Sequence, residues 1–175
     1  MLALCLLVTG VAGSQAQSIP DEPSGYRTDA YRAPVPATLQ GARVIDTPAA
    51  EALWHEKALF IDVLPRAMKP ANLPAHVIWR EPPHKSIPGA TWLANMGYGV
   101  IPEPLLRAFE VRLETLTEGD RSRALVFFCL KDCWMSWNAA KRAVSWGYSN
   151  VIWFPDGIDG WSDALLPLDE VAPAF

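Results

Sequence analysis

Short apolar runs alternate with stretches of helical period along most of this chain. Residues 58–63 (Ala-Leu-Phe-Ile-Asp-Val) and 124–128 (Ala-Leu-Val-Phe-Phe) are apolar apart from Asp62, as expected of strands buried on both faces of a parallel sheet. Residues 42–46, 91–93 and 150–154 add three further short strand candidates. Residues 102–117 set Leu105, Leu106, Phe109, Leu113 and Leu116 at helical spacing with Glu and Arg opposite, which predicts an amphipathic helix. A second helix is predicted over residues 135–146, closed by Gly147 as C-cap. Thr47 as N-cap and Pro48 in the first turn open another, running to about Lys57 with Ala50, Leu53 and Trp54 as its apolar stripe. Strands alternating with helices across short loops give an α/β class, a central mainly parallel sheet with helices on both faces.

Two stretches lack either period. Residues 17–41 are rich in Pro, Ser, Asp and Thr with Tyr26 and Tyr31 as their aromatics, and read as an extended arm that wraps the domain. Residues 68–86 are rich in proline and read as one long loop holding His76, Trp79, Arg80 and His84. Loops of that length in compact domains are often functional. The tight turns of Pro155-Asp156-Gly157-Ile158-Asp159-Gly160 precede Trp161 and a last short helical piece.

A length of 175 residues, half of them hydrophobic, suits one core and one domain, taken as residues 42–175. The net charge of −4, with Lys and Arg scattered, points away from nucleic acid and from anionic membranes as partners. Residues 1–16 carry no charge and hold an apolar core ending in Ser14-Gln15-Ala16, the pattern of a secretory signal peptide cut after Ala16. Its apolar run is too short for a bilayer, which takes roughly 20 residues. The expected location is therefore periplasmic, with no membrane span in the mature chain. Cys5 leaves with the signal, and Cys129 and Cys133 remain.

Those two cysteines fall where a buried strand ends and a helix begins, so chemistry is expected there. Helix N-termini favour a thiolate or an anion, and ligands of α/β sheets bind at the carboxyl ends of strands. A separation of four residues is within disulfide reach, yet closing so short a loop stabilises little. An inert staple and a redox pair or thiolate site both stay open. Leu130, Lys131, Asp132 and Trp134 are the candidate loop and anion-binding residues, and Trp137, Asp156 and Trp161 the candidates for ligand contact. Trp134 in particular could cover the sulfurs or stack on a flat ligand such as a quinone. Cys129 and Cys133 with His76 or His84 would suit zinc or copper(I), but no spacing demands it and no metal is assigned. Both histidines are expected exposed. Asp156 and Asp159 offer too few carboxylates for calcium and read as turn residues. Haem attachment needs a different spacing.

Residues 59–63, the turn Ser86-Ile87-Pro88-Gly89-Ala90 and residues 125–161 together resemble the rhodanese-like domains, over roughly residues 42–168. The resemblance implies a rhodanese-like fold with Cys129 at the position of the persulfide-forming cysteine. More narrowly, residues 129–142 with Trp153 to Trp161 are similar to exported rhodanese-like proteins named for a Cys-Cys-Trp motif and associated with PQQ-dependent alcohol catabolism. That likeness implies a PQQ-dependent dehydrogenase or its cytochrome c as partner. It assigns no bound cofactor, and PQQ enters only indirectly. Sulfurtransferases of this kind carry Gly and Arg after the cysteine. Here Asp132, Cys133 and Trp134 stand in that stretch, with Lys131 the one cation of the loop. A second thiol so close would discharge a persulfide as sulfide and a disulfide. The expectation is thiol–disulfide chemistry, with Cys129 attacking and Cys133 resolving. Two alternatives stand beside it: a thiosulfate-type sulfurtransferase with a Cys129 persulfide, and a non-catalytic accessory module for a quinoprotein dehydrogenase or its cytochrome.

Overall fold

The computed structural model describes residues 19–174. The signal peptide expected at residues 1–16, with Cys5, lies outside the described residues. Five strands form one parallel sheet: β1 (Ala42–Val44), β2 (Leu59–Asp62), β4 (Thr91–Trp92), β5 (Leu125–Phe128) and β6 (Val151–Trp153). Their order is β1-β6-β5-β2-β4, each pairing parallel. The two most apolar segments, β2 and β5, are neighbours inside the sheet, where no backbone edge and neither face meets water.

Alternation along the strands divides the core. Ile61, Val63, Leu125, Phe127, Val151 and Trp153 point into one layer, while Phe60, Val126, Phe128, Ile152 and Phe154 point into the other. The first layer is closed by α2 (Glu103–Thr117) through Phe109 and Leu113, and by α3 (Trp134–Ser145) through Trp137, Ala140 and Ala143. The second is closed by α1 (Thr47–His55) and α4 (Gly157–Asp163), with Ala50, Ile158 and Trp161 buried against the sheet. The α/β class, the parallel sheet and the helices on both faces are as the patterning predicts.

Local details differ. Asp46, not Thr47, caps α1: its Oδ1 accepts from Ala49 N at 3.1 Å, and Pro48 then falls in the first turn. A carboxylate at that end also meets the positive end of the helix dipole. The predicted helix at residues 135–146 runs one residue earlier, with Trp146 as its C-cap and Gly147 in the left-handed region (φ 84°) beyond it. The end of the proline-rich stretch is not loop. There β3 (His84–Ser86) pairs antiparallel with β7 (Asp169–Val171) in a two-stranded ribbon. Among the described residues, no helix is long and apolar enough to cross a membrane.

Residues 19–41 lie across α3 in extended form. Asn138 holds them from both sides, accepting from Arg27 N (2.9 Å) and donating to Arg27 O (2.8 Å). The indoles of Trp134 and Trp137 donate to Pro34 O and Thr38 O. Leu39, 2 % exposed, plugs into the first core layer.

Candidate functional site

Cys129 is the first residue past β5 and points into the α3 layer, completely buried. The loop Leu130–Lys131–Asp132 turns back through Asp132 in the left-handed region (φ 52°), and Cys133 becomes the N-cap of α3. Two groups from α4 hold this turn. Ile158 N donates to Cys129 O at 2.8 Å, and Asp159 Oδ2 accepts from Lys131 N at 2.9 Å. Gly157 is required here: at φ 54°, a Cβ would lie 2.2 Å from Cys129 O.

The arm supplies the remaining wall. Arg32 forms an isolated antiparallel bridge with Cys133, flanked by Trp134 N to Tyr31 O (2.9 Å) and Ala33 N to Asp132 O (3.1 Å). Bridged residues project to the same side, so Arg32 accompanies the Cys133 thiol. Cys133 is 3 % exposed.

The two thiols are free and adjacent, and their acidities are driven apart. Burial pushes the Cys129 thiol well up, and its contact with Cys133 pushes the same way. Ser136 works weakly against that through its N–H and hydroxyl. The Cys133 thiol is lowered to about 7, chiefly by the hydrogen bond from Cys129. Burial opposes this shift, while the N–H groups of Met135 and Leu130 and the charge of Arg32 add to it. Cys133 is therefore the more acidic of the two thiols, and Cys129 the less. The Cys129 thiol also reaches the Cys133 carbonyl oxygen, with Sγ to O 3.4 Å. Ser136 Oγ donates to that same carbonyl at 3.2 Å and accepts from Trp153 Nε1 at 3.0 Å, which fixes the first turn of α3.

The structure brings Cys129, Cys133, Leu130, Lys131, Asp132 and Trp134 together. Lys131 and Asp132 are exposed at the rim, and Leu130 is half-buried between the two core layers. Trp134 is 2 % exposed. Its ring meets Trp137 edge-on and carries the Arg27 guanidinium over it at 5.4 Å, so the arm covers the face that a flat ligand would need. Trp137 is core, and Trp161 sits in the opposite layer, donating to Pro167 O. Asp156 lines a groove between β1 and α1 beside Arg43 and Ala49. Trp161 belongs to the layer opposite the sulfurs, whereas Trp137 shares their layer one turn along α3.

His84 does not behave as an exposed loop residue. Its Nε2 lies 2.6 Å from Asp62 Oδ2, its ring stacks on Trp92 at 4.2 Å, and its side chain is 11 % exposed. Asp62 is fully buried, bonded also to Ser86 Oγ (2.6 Å) and Leu64 N (2.9 Å). It faces the α1 and α4 layer, away from the cysteines. Among the described residues, no group of three or more His, Cys, Asp or Glu is placed to hold a metal ion. Sequence reasoning missed Arg32, Ser136 and Gly157 and read Asp159 only as a turn residue. The glycine and the serine carried a signal, being small residues beside a predicted cysteine turn. Arg32 carried none.

No family model matches the chain, and no curated protein does. Among solved structures the chain is similar to the polysulfide-sulfur transferase homodimer of Wolinella succinogenes. The TM-score is 0.44 at 16 % identity, over 75 % of this chain and 81 % of that one.

Proposed function

We propose that this protein works by thiol–disulfide exchange, with Cys133 as the attacking thiolate and Cys129 as the resolving thiol. The supporting observation is the pair of adjacent buried thiols with opposed acidities, Cys133 lowered to about 7 and Cys129 raised. This reverses the roles expected from the sequence, in which Cys129, at the persulfide position of the rhodanese resemblance, attacks and Cys133 resolves. The Cys133 thiolate attacks one sulfur of a substrate disulfide, forming a mixed disulfide and releasing one thiolate. Cys129 then gives up its proton and attacks the Cys133 sulfur, closing the Cys129–Cys133 bond and releasing the second thiolate. The substrate gains two electrons and the protein dithiol loses two.

A persulfide on Cys129 fits less well. The neighbouring Cys133 thiolate would attack the inner sulfur, expel sulfide and leave the same disulfide. The rhodanese-like resemblance and its Cys-Cys-Trp variant support reading the chain as an exported protein that serves a PQQ-dependent dehydrogenase or its cytochrome c. Those assignments rest on the resemblance alone.

Exposing the full chain to a small aromatic disulfide and mapping its peptides by mass tests the mechanism. The expected product is a Cys129–Cys133 disulfide in the parent protein. Cys129→Ser should accumulate a mixed disulfide on Cys133, and Cys133→Ser should lose the rapid release of the aromatic thiol. Both thiols remaining free after exposure at neutral pH would end this reading.

A further inference from the structure

Away from the sulfurs, near the other end of α3, a cavity of about 300 Å³ opens between the arm, the loop after β4 and α2. Its size sits at the lower bound of small-molecule pockets. Val100, Ile101, Leu106 and Trp146 make its apolar wall, and Arg142 and Tyr26 its polar end. Arg142 is 4 % exposed, and no carboxylate pairs with it among the described residues. One Nη donates to Gly99 O at 2.7 Å, and the other is buried with no partner.

A buried guanidinium carries five donors and a full charge, and native interiors meet such a group with an anion or a complete set of acceptors. Here one carbonyl and the face of Tyr26, 4.1 Å from the guanidinium carbon, are what it has. The aromatic face attracts the cation but accepts no in-plane hydrogen bond. Tyr26 belongs to the arm, is 36 % exposed, and takes part in no hydrogen bond through its hydroxyl among the described residues. It is the group able to yield, and doing so would open Nη1 to the cavity and offer the phenol as a further donor.

We propose that this cavity binds a small monocarboxylate with a short apolar tail. Once the ring yields, a carboxylate oxygen accepts from the Arg142 Nη1 that now lacks a partner, and the tail lies along Leu106 and Trp146. A fully hydrated tetrahedral anion would satisfy the charge but leave the apolar wall unused. The wall therefore selects for the tail.

Thermal unfolding of the full chain in sodium butyrate, sodium phosphate or sodium chloride at matched ionic strength tests this. Butyrate at saturation is expected to raise the midpoint by about 2–4 °C above chloride, and to shift the Arg142 side-chain N–H resonances. Leu106→Trp, which fills the cavity and keeps Arg142, should lose both effects. Arg142→Gln should lose the thermal shift if it folds. Three results would overturn the proposal: no excess shift with butyrate, an undiminished shift in Leu106→Trp, or phosphate acting as strongly as butyrate.

Discussion

Asp62 and Cys129 end adjacent strands, Asp62 pairing in register with Phe128 just before the cysteine, and they face opposite layers. Both are fully buried polar groups at the carboxyl edge of one sheet. At Asp62 both oxygens are met by donors held in place, from Ser86, His84 and the Leu64 backbone, and its carbonyl takes Leu93 N at 2.7 Å. Nothing there is left to react. At Cys129 the thiol sits beside a second ionisable thiol, and the two are pushed to opposite acidities. A buried polar group anchors a fold when every lone pair has a fixed partner, and does chemistry when a proton has two places to go.

The largest effect that could break this contrast is expected at Asp62. Asp62→Ala leaves Ser86, His84 and Leu64 N unpaired in the interior, and urea unfolding should show a loss of about 3–5 kcal/mol. A loss as small as that of a surface substitution would mean that the carboxylate is not an anchor. Gly157→Ala comes next. Its methyl meets Cys129 O at φ 54°, so about 2–3 kcal/mol is expected to be lost. The Cys129 and Cys133 resonances should move with it, because α4 fixes their loop. Asp62→Ala should leave the acidity of Cys133 where it is.

Smaller effects sharpen the thiol side. A thiol lowered to about 7 is mostly protonated below that pH and mostly thiolate above it. Alkylation of Cys133 should therefore rise about tenfold from pH 6 to 8 and flatten above, while Cys129 stays slow throughout. A midpoint at the ordinary thiol value would remove the asymmetry. The ionisable groups that act on Cys133 are Cys129 and Arg32 of the arm. Least in size is Arg32→Gln: an exposed charge is well screened, so alkylation at pH 7 should slow about two- to threefold, and Arg32→Lys should restore it. No change would assign the lowered pKa wholly to Cys129 and the helix N–H groups.

Much of this was readable in the chain. The apolar runs at residues 58–63 and 124–128 and the helical period at 102–117 and 135–146 state their elements locally, and their alternation leaves few topologies besides a parallel sheet. The two thiols at a strand-to-helix junction were legible for the same reason, being close in sequence. The ribbon of β3 and β7 was not. His84-Lys85-Ser86 and Asp169-Glu170-Val171 are short and mostly polar, so neither shows a period, and each is a strand because the other lies beside it. His84 looked solvated because nothing near it in the chain announces Asp62.

What the sequence by itself determined is therefore the class of fold and the neighbourhood of the sulfurs, because both follow from periodicities a few residues long. Which sulfur is the more acidic was decided by burial in the tertiary structure, which raises Cys129, and by the Arg32 charge, acting on top of the contacts local to the loop. Burial depth, the Arg32 bridge and the α4 contacts come from segments remote in the chain. A thiol's acidity answers to the dielectric and charges around it in space, which no local pattern records.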